Sequence, residues 1–134
     1  MSFISAVHTR YQIIAKKVTQ QDVLDHLNQT ISDDNLQIKP DIIHAITKFS
    51  VWEFENIPIS KIWIYGDSHV SQPMESYSEE DEELCHKYAD MKSASPPIIV
   101  HKLGSKYATI DGGHRARAAW LKKQQTIPAY VAHG

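Results

Sequence analysis

The chain has 134 residues, 42% of them hydrophobic, with a formal net charge of −2, enough for one compact domain with its own core and too apolar for general disorder. No apolar run approaches the ~18 residues of a membrane span, and Met1-Ser2-Phe3-Ile4-Ser5 lacks the basic start of a secretory signal. With Cys85 as the only cysteine, an internal disulfide and a cysteine-rich zinc site are excluded, so the expectation is a cytoplasmic protein without membrane contact.

Phe3 to Val18 alternates loosely and reads as one or two strands. Thr19-Gln20-Gln21-Asp22 has the form of a capping box. Val23, Leu24, Leu27 and Ile31 recur at helical spacing, predicting a helix to about Thr30. Ser32-Asp33-Asp34-Asn35 reads as a turn cluster. Pro40 suits the first position of a second helix with an Ile42, Ile43, Ile46, Phe49 stripe. Residues 1–50 are thus expected as a helical extension on or next to the core of a domain spanning 51–134, and as a candidate homodimer surface.

Ile57 to Tyr65 alternates β-branched and aromatic residues and predicts one strand. Residues 66–78 form a polar loop. Ser78-Glu79-Glu80-Asp81 is a second capping box, opening a helix to Met91 with an acidic first turn. Ile98 to His101 and Tyr107 to Ile110 are strands around a Gly104-Ser105 turn. His114 to Gln124 is a helix, and Ile127 to Val131 a closing strand. Trp63 and Trp120 are expected in the core, whereas Trp52 falls in a connector.

Charge is unevenly distributed. Residues 51–91 carry ten acidic and two basic side chains, residues 92–134 seven basic and one acidic. The basic segment contains Ile110-Asp111-Gly112-Gly113-His114-Arg115-Ala116-Arg117, a strand end, a two-glycine turn and a helix start. Such a start presents unpaired N–H groups and a partial positive charge. Glycines admit a phosphate close to the backbone, and an arginine in the first turn adds a planar charged fork.

Gly112, Gly113, His114 and Arg115 are therefore the expected phosphate ligands, with Lys102 and Arg117 widening the basic surface. Arg117, two positions beyond Arg115, is expected on another face, meeting solvent or a nucleic-acid backbone. Asp111 is a candidate to hold Mg²⁺ or accept a proton, and His114 to act as an acid or base. Asp111, His114 and Arg115 form the candidate catalytic set; no resident metal site is assigned. The Asp67-Ser68-His69 triplet is a weak metal signal, and Glu79 to Glu83 reads as a solvated helix start.

The order of the 57–62 strand, the acidic helix, Pro96-Pro97-Ile98-Ile99-Val100, the hairpin, Asp111-Gly112-Gly113-His114-Arg115, the Ala118-Ala119 helix and Ile127-Pro128-Ala129-Tyr130-Val131 resembles the ParB N-terminal/sulfiredoxin superfamily. The resemblance covers a little over half of the chain. It implies a small α+β fold with a mixed sheet, in which this turn holds nucleotide phosphates.

The chain departs from each branch of that superfamily. Partition proteins bind CTP with a turn of glycine, glutamate and two arginines; Gly113 stands for the glutamate and His114 for the first arginine. No helix-turn-helix module follows the turn, which points to a stand-alone member. Sulfiredoxins need a thiolate where Gly113 stands. Free-serine kinases carry Asp-Gly-His-His-Arg, matched at Asp111, Gly112, His114 and Arg115, and need an acidic residue such as Asp67 or Glu75. Three readings follow: a domain binding nucleoside triphosphate or DNA phosphates with NTPase or nuclease activity; a non-catalytic nucleotide- or DNA-binding or protein-interaction module; and a small-molecule kinase for a free amino acid.

Overall fold

The structure is a computed structural model and describes residues 15–34, 40–65, 68–73, 78–91 and 96–134, with backbone only at 31–34. The expected strands before residue 15, and the acidic candidates Asp67 and Glu75, lie outside the described residues. Seven strands build one mixed sheet in the order β1-β2-β7-β5-β6-β3-β4: β1 (Lys16–Val18), β2 (Val51–Pro58), β3 (Ile62–Ile64), β4 (Ser68–His69), β5 (Ile98–Leu103), β6 (Lys106–Asp111) and β7 (Thr126–His133). Four helices accompany them: α1 (Gln20–Asp34), α2 (Pro40–Thr47), α3 (Glu79–Asp90) and α4 (Gly113–Leu121). The fold is α+β, as the sequence implies.

Ile98-Ile99-Val100 explains the layering. All three residues of this central strand are fully buried, the mark of a strand covered on both faces. Ile98 and Val100 join Ile57, Ile59, Ile62, Ala129 and Val131 under Ala116 and Ala119 of α4. Ile99 faces the other way and joins Trp52 and Ala132 under Val23 and Leu27 of α1 and Ile46 of α2. β1 extends the sheet by antiparallel pairing with β2.

Both capping boxes form. The Thr19 and Asp22 side chains exchange bonds with each other's backbone N–H at 3.0 and 2.9 Å. Ser78 and Asp81 do the same for α3. Of the turn cluster expected at Ser32-Asp33-Asp34-Asn35, the first three residues are instead the end of α1, and Asn35 lies outside the described residues.

The single strand expected over 57–65 is two strands. β2 starts six residues earlier, at Val51, and pairs with β7 along eight residues, from Val51↔His133 to Pro58↔Thr126. A tight helical turn at Ile59–Lys61 then carries the chain to β3, beside β6. The alternation changes phase here: Ile57 and Ile59 are buried two positions apart, but Ile62 follows Ile59 by three before Ile64 resumes the period. Trp52, expected in a connector, is a buried β2 residue whose indole N–H donates to the Phe49 carbonyl at 2.9 Å. Trp120, expected in the core, is 36% exposed. It lies on the outer side of α4, edge-on to His69. Among the described residues, no helix is long and apolar enough to cross a membrane.

Candidate functional site at the start of α4

The turn between β6 and α4 is shaped by a bulge. Val100 pairs with Thr109, but Ile99 pairs with Asp111, so Ile110 is an extra residue that re-aims Asp111. Gly112 follows with φ +97°, in the left-handed region. A Cβ there would lie 2.6 Å from Ile98 Cγ2 and 3.1 Å from Arg115 Nη2. Only glycine meets both demands, of backbone angle and of space. It lets the Arg115 guanidinium lie against the turn.

Gly112 is the N-cap of α4 and supplies no side-chain cap. Its carbonyl accepts the first helical bond, from the Ala116 N–H at 2.9 Å. The N–H of Gly113 precedes that first bond, at a helix start where backbone donors lack helical acceptors. The Arg115 side chain lies against the turn, with Nη2 3.1 Å from where a Gly112 Cβ would stand, and is 7% exposed. Its Nη2 donates to Asp111 Oδ2 at 3.0 Å, while Nη1 is buried with no hydrogen-bond partner among the described residues. A buried donor left unsatisfied costs about 1–3 kcal/mol.

His114 turns toward α3. Its Nε2 is 3.0 Å from Asp81 Oδ1. Hydrogen bonds from the Ser78 backbone N–H first, and from His114 second, hold the Asp81 carboxyl below its usual range. Asp81 and Glu82 are therefore not simply a solvated helix start; they dock α3 onto α4.

Arg117 requires a correction. It was expected to meet solvent or a nucleic-acid backbone, yet it is buried. Its guanidinium donates to Glu82 Oε1 at 2.7 Å and to the Val70 carbonyl at 3.1 Å. Its guanidinium is held by Glu82 and Val70, so it is not the solvent-facing cation that its place in the sequence implies. Lys102 stands at the far end of the hairpin from the turn. It pairs with Tyr107 near the hairpin tip, five residues along β6 from Gly112, or about 16 Å at the rise of a strand. Lys106 also stays at that end, its ammonium 4.1 Å from the Trp63 ring centroid. Much of the positive charge expected around the turn is thus neutralised by α3 or placed elsewhere.

Two residues near the turn escaped sequence reasoning. Tyr65 follows β3 with φ +54°, a strained angle for a side chain of this size, and its backbone N–H donates to Thr109 Oγ1 at 2.9 Å. Although Tyr65 is 56% exposed, partial desolvation first, then the charges of Asp111 and Asp81, pushes its phenol above the usual value. It also lines a groove of about 260 Å³ with Asp41, Ile42, Ala45, Thr109 and Ile110. His26 reaches over from α1, its Nε2 2.7 Å from the Pro97 carbonyl. Burial is the main cause lowering its pKa, and the charges of Arg115 and Asp111 also act on it. Neither residue carried a local motif; both are brought in by long-range packing.

The solved structures that this chain resembles include two partial matches. One is the C-terminally truncated chromosome-partitioning protein ParB from Caulobacter crescentus complexed with CTP-γ-S, 26% identical, with a TM-score of 0.45 over 60% of this chain and 44% of that one. The other is sulfiredoxin from Arabidopsis thaliana, 21% identical, with a TM-score of 0.40 over 60% of this chain and 85% of that one. This chain therefore spans less than half of the ParB chain it resembles. Comparison with curated proteins gives no match. The model of the ParB N-terminal domain matches residues 4–133, nearly the whole sequence, and the chain belongs to that family.

Proposed function

We propose that the start of α4 binds the phosphates of a nucleoside triphosphate. The observation that carries this reading is Arg115: a buried guanidinium with one nitrogen unsatisfied among the described residues, against a helix start whose cap residue offers no side-chain acceptor. Backbone N–H groups at Gly112, Gly113 and His114 would cradle phosphate oxygens, and Arg115 would add charge and direction. Asp111 fits Mg²⁺ at such a site, because one or two carboxylates plus substrate phosphates are the usual Mg²⁺ environment and only its Oδ2 is engaged by Arg115. The ion would offset phosphate charge when bound.

The His114–Asp81 pair, 3.0 Å apart, supports an activity at those phosphates. A histidine oriented by a carboxylate is suited to moving a proton, and NTP hydrolysis or phosphodiester cleavage is the chemistry it would serve. Loss of Arg117 and Lys102 from the phosphate-facing surface favours a single bound nucleotide over an extended DNA backbone, which needs several cations in a row.

The test is calorimetric titration of the chain with CTP, ATP and GTP, with and without Mg²⁺, in wild type, Arg115→Lys and His114→Ala. Arg115→Lys keeps the charge and removes the fork. The expected result is binding of at least one nucleotide by wild type, weakened about tenfold or more in Arg115→Lys while the far-ultraviolet circular dichroism is unchanged. Phosphate release by wild type, lost in His114→Ala, would extend the reading to catalysis. Equal affinity in wild type and Arg115→Lys, or no binding by wild type, would overturn it.

A further inference from the structure

A second cluster of chemistry-bearing side chains lies away from the α4 start, on the β2–β7 ladder. Glu53 and Glu55 are two apart on β2 and so share a face. His133 pairs with Val51 on β7, which makes it the diagonal neighbour of Glu53 on that face. The cluster is three residues along β7 from Tyr130, which stands level with Ile99 and Asp111. That is about 10 Å along the strand and two strands across from the glycine turn.

His133 Nε2 is 3.2 Å from Glu53 Oε1 and 3.9 Å from Glu55 Oε2. One ligand atom from each of the three residues lies within 4.8 Å of the other two. Nε2 is shielded from solvent, yet among the described residues no acceptor meets it in hydrogen-bond geometry. Among the described residues, the ion pairs of both glutamates are with His133 alone. Two carboxylates converging on a shielded imidazole nitrogen repel one another unless a cation lies among them. A proton on Nε2 should point along a hydrogen bond, and the geometry offers it none. A metal ion needs no such bond, only atoms converging on a point.

We propose that Glu53, Glu55 and His133 bind a divalent first-row transition-metal ion, with Zn²⁺ the natural probe. Zinc accepts imidazole nitrogen and carboxylate oxygen at about 2.0–2.2 Å in a tetrahedral set, which places ligand atoms about 3.4 Å apart. The His133–Glu53 separation of 3.2 Å already fits, and the widest pair, within 4.8 Å, closes by about an ångström or slightly more through rotation of the glutamate side chains. Two carboxylates balance the charge of the ion. The imidazole disfavours Mg²⁺ and Ca²⁺, which prefer oxygen alone. Each of the three side chains is partly exposed, 18–28%, so the ion can enter and a fourth position stays open to water. The ladder holds the carboxylates and the imidazole in place before the metal arrives.

The test is calorimetric titration of the metal-stripped chain with Zn²⁺, in wild type, His133→Gln, the double variant Glu53→Gln/Glu55→Gln, and His86→Gln. His86 is an exposed histidine 3.6 Å from Glu82 on α3, and it controls for adventitious surface binding. The expected result is one equivalent bound by wild type and His86→Gln, with affinity lower by at least about tenfold in the other two variants. Circular dichroism establishes that each variant is folded. A nitrogen-15 spectrum of the wild-type imidazoles adds a readout free of mutation: zinc should shift His133 Nε2. Zinc affinity unchanged in both site variants, no uptake by wild type at millimolar zinc, or an unshifted His133 ring at saturation would each overturn the proposal.

Discussion

Arg117 and Glu82 form a forked ion pair between α4 and α3, with Nη2 2.7 Å and Nε 3.2 Å from Glu82 Oε1. The arginine also satisfies the Val70 carbonyl, so one side chain joins two helices to the segment after β4. Its loss should be costly, because breaking a buried pair strands the surviving partner. Arg117→Ala is expected to lower unfolding free energy by about 3 kcal/mol. Arg117→Met combined with Glu82→Leu is expected to recover much of that loss. Urea denaturation of the two variants beside wild type checks it; equal loss in single and double variants would contradict this account.

Gly112 should tolerate no side chain. Gly112→Ala combines a φ of +97° with a Cβ 2.6 Å from Ile98 Cγ2, a strain plus overpacking cost of about 2–4 kcal/mol. Because that Cβ also crowds Arg115 Nη2, nucleotide affinity should fall together with stability. Thermal denaturation and nucleotide titration of the same variant test both effects. A melting temperature within a degree of wild type would refute the turn geometry.

Asp81 should make stability depend on acid pH. Its folded pKa is lowered, chiefly by the Ser78 backbone N–H and then by His114. The unfolded value is about 3.9, so the unfolded state takes up the proton first as pH falls. The contribution of Asp81 is therefore present in full above about pH 4 and lost as pH drops through the folded value. Asp81→Asn should be less stable than wild type at pH 6, and the gap should narrow below pH 4. Denaturant unfolding across pH 3–7 reads this; a gap independent of pH would argue against an ionised Asp81 at the helix start.

Cys85 should be inert in the folded protein. It is fully buried on α3, and burial first, then the charge of Glu82, pushes its thiol up to about 11. At pH 8 that leaves roughly one thiolate in a thousand. Labelling by iodoacetamide, followed by mass spectrometry, should be negligible in buffer and complete in denaturant. Rapid native labelling would mean that α3 opens readily from α4.

Local chemistry settles a good share of this protein. The Thr19–Asp22 and Ser78–Asp81 boxes form where their spacing predicts, because a cap is made within four residues of chain. The all-apolar Ile98-Ile99-Val100 announces a strand covered on both faces. Gly112 before His114 and Arg115 marks a turn that only glycine can make. The α+β class and the ParB-like order of elements follow from such signals in sequence.

Packing between distant elements decides the rest. The apolar alternation shifts phase between Ile59 and Ile62, but only pairing with β7 on one side and β6 on the other divides β2 from β3. Nothing near Arg117 tells that Glu82, 35 residues earlier, will take its charge, nor that His26 and Tyr65 will stand within the field of Asp111. The convergence of Glu53 and Glu55 with His133 likewise exists only once β2 and β7 pair in one register. A charge or an aromatic ring acquires its role from what faces it, and what faces it is set by the sheet and helix contacts that close the fold.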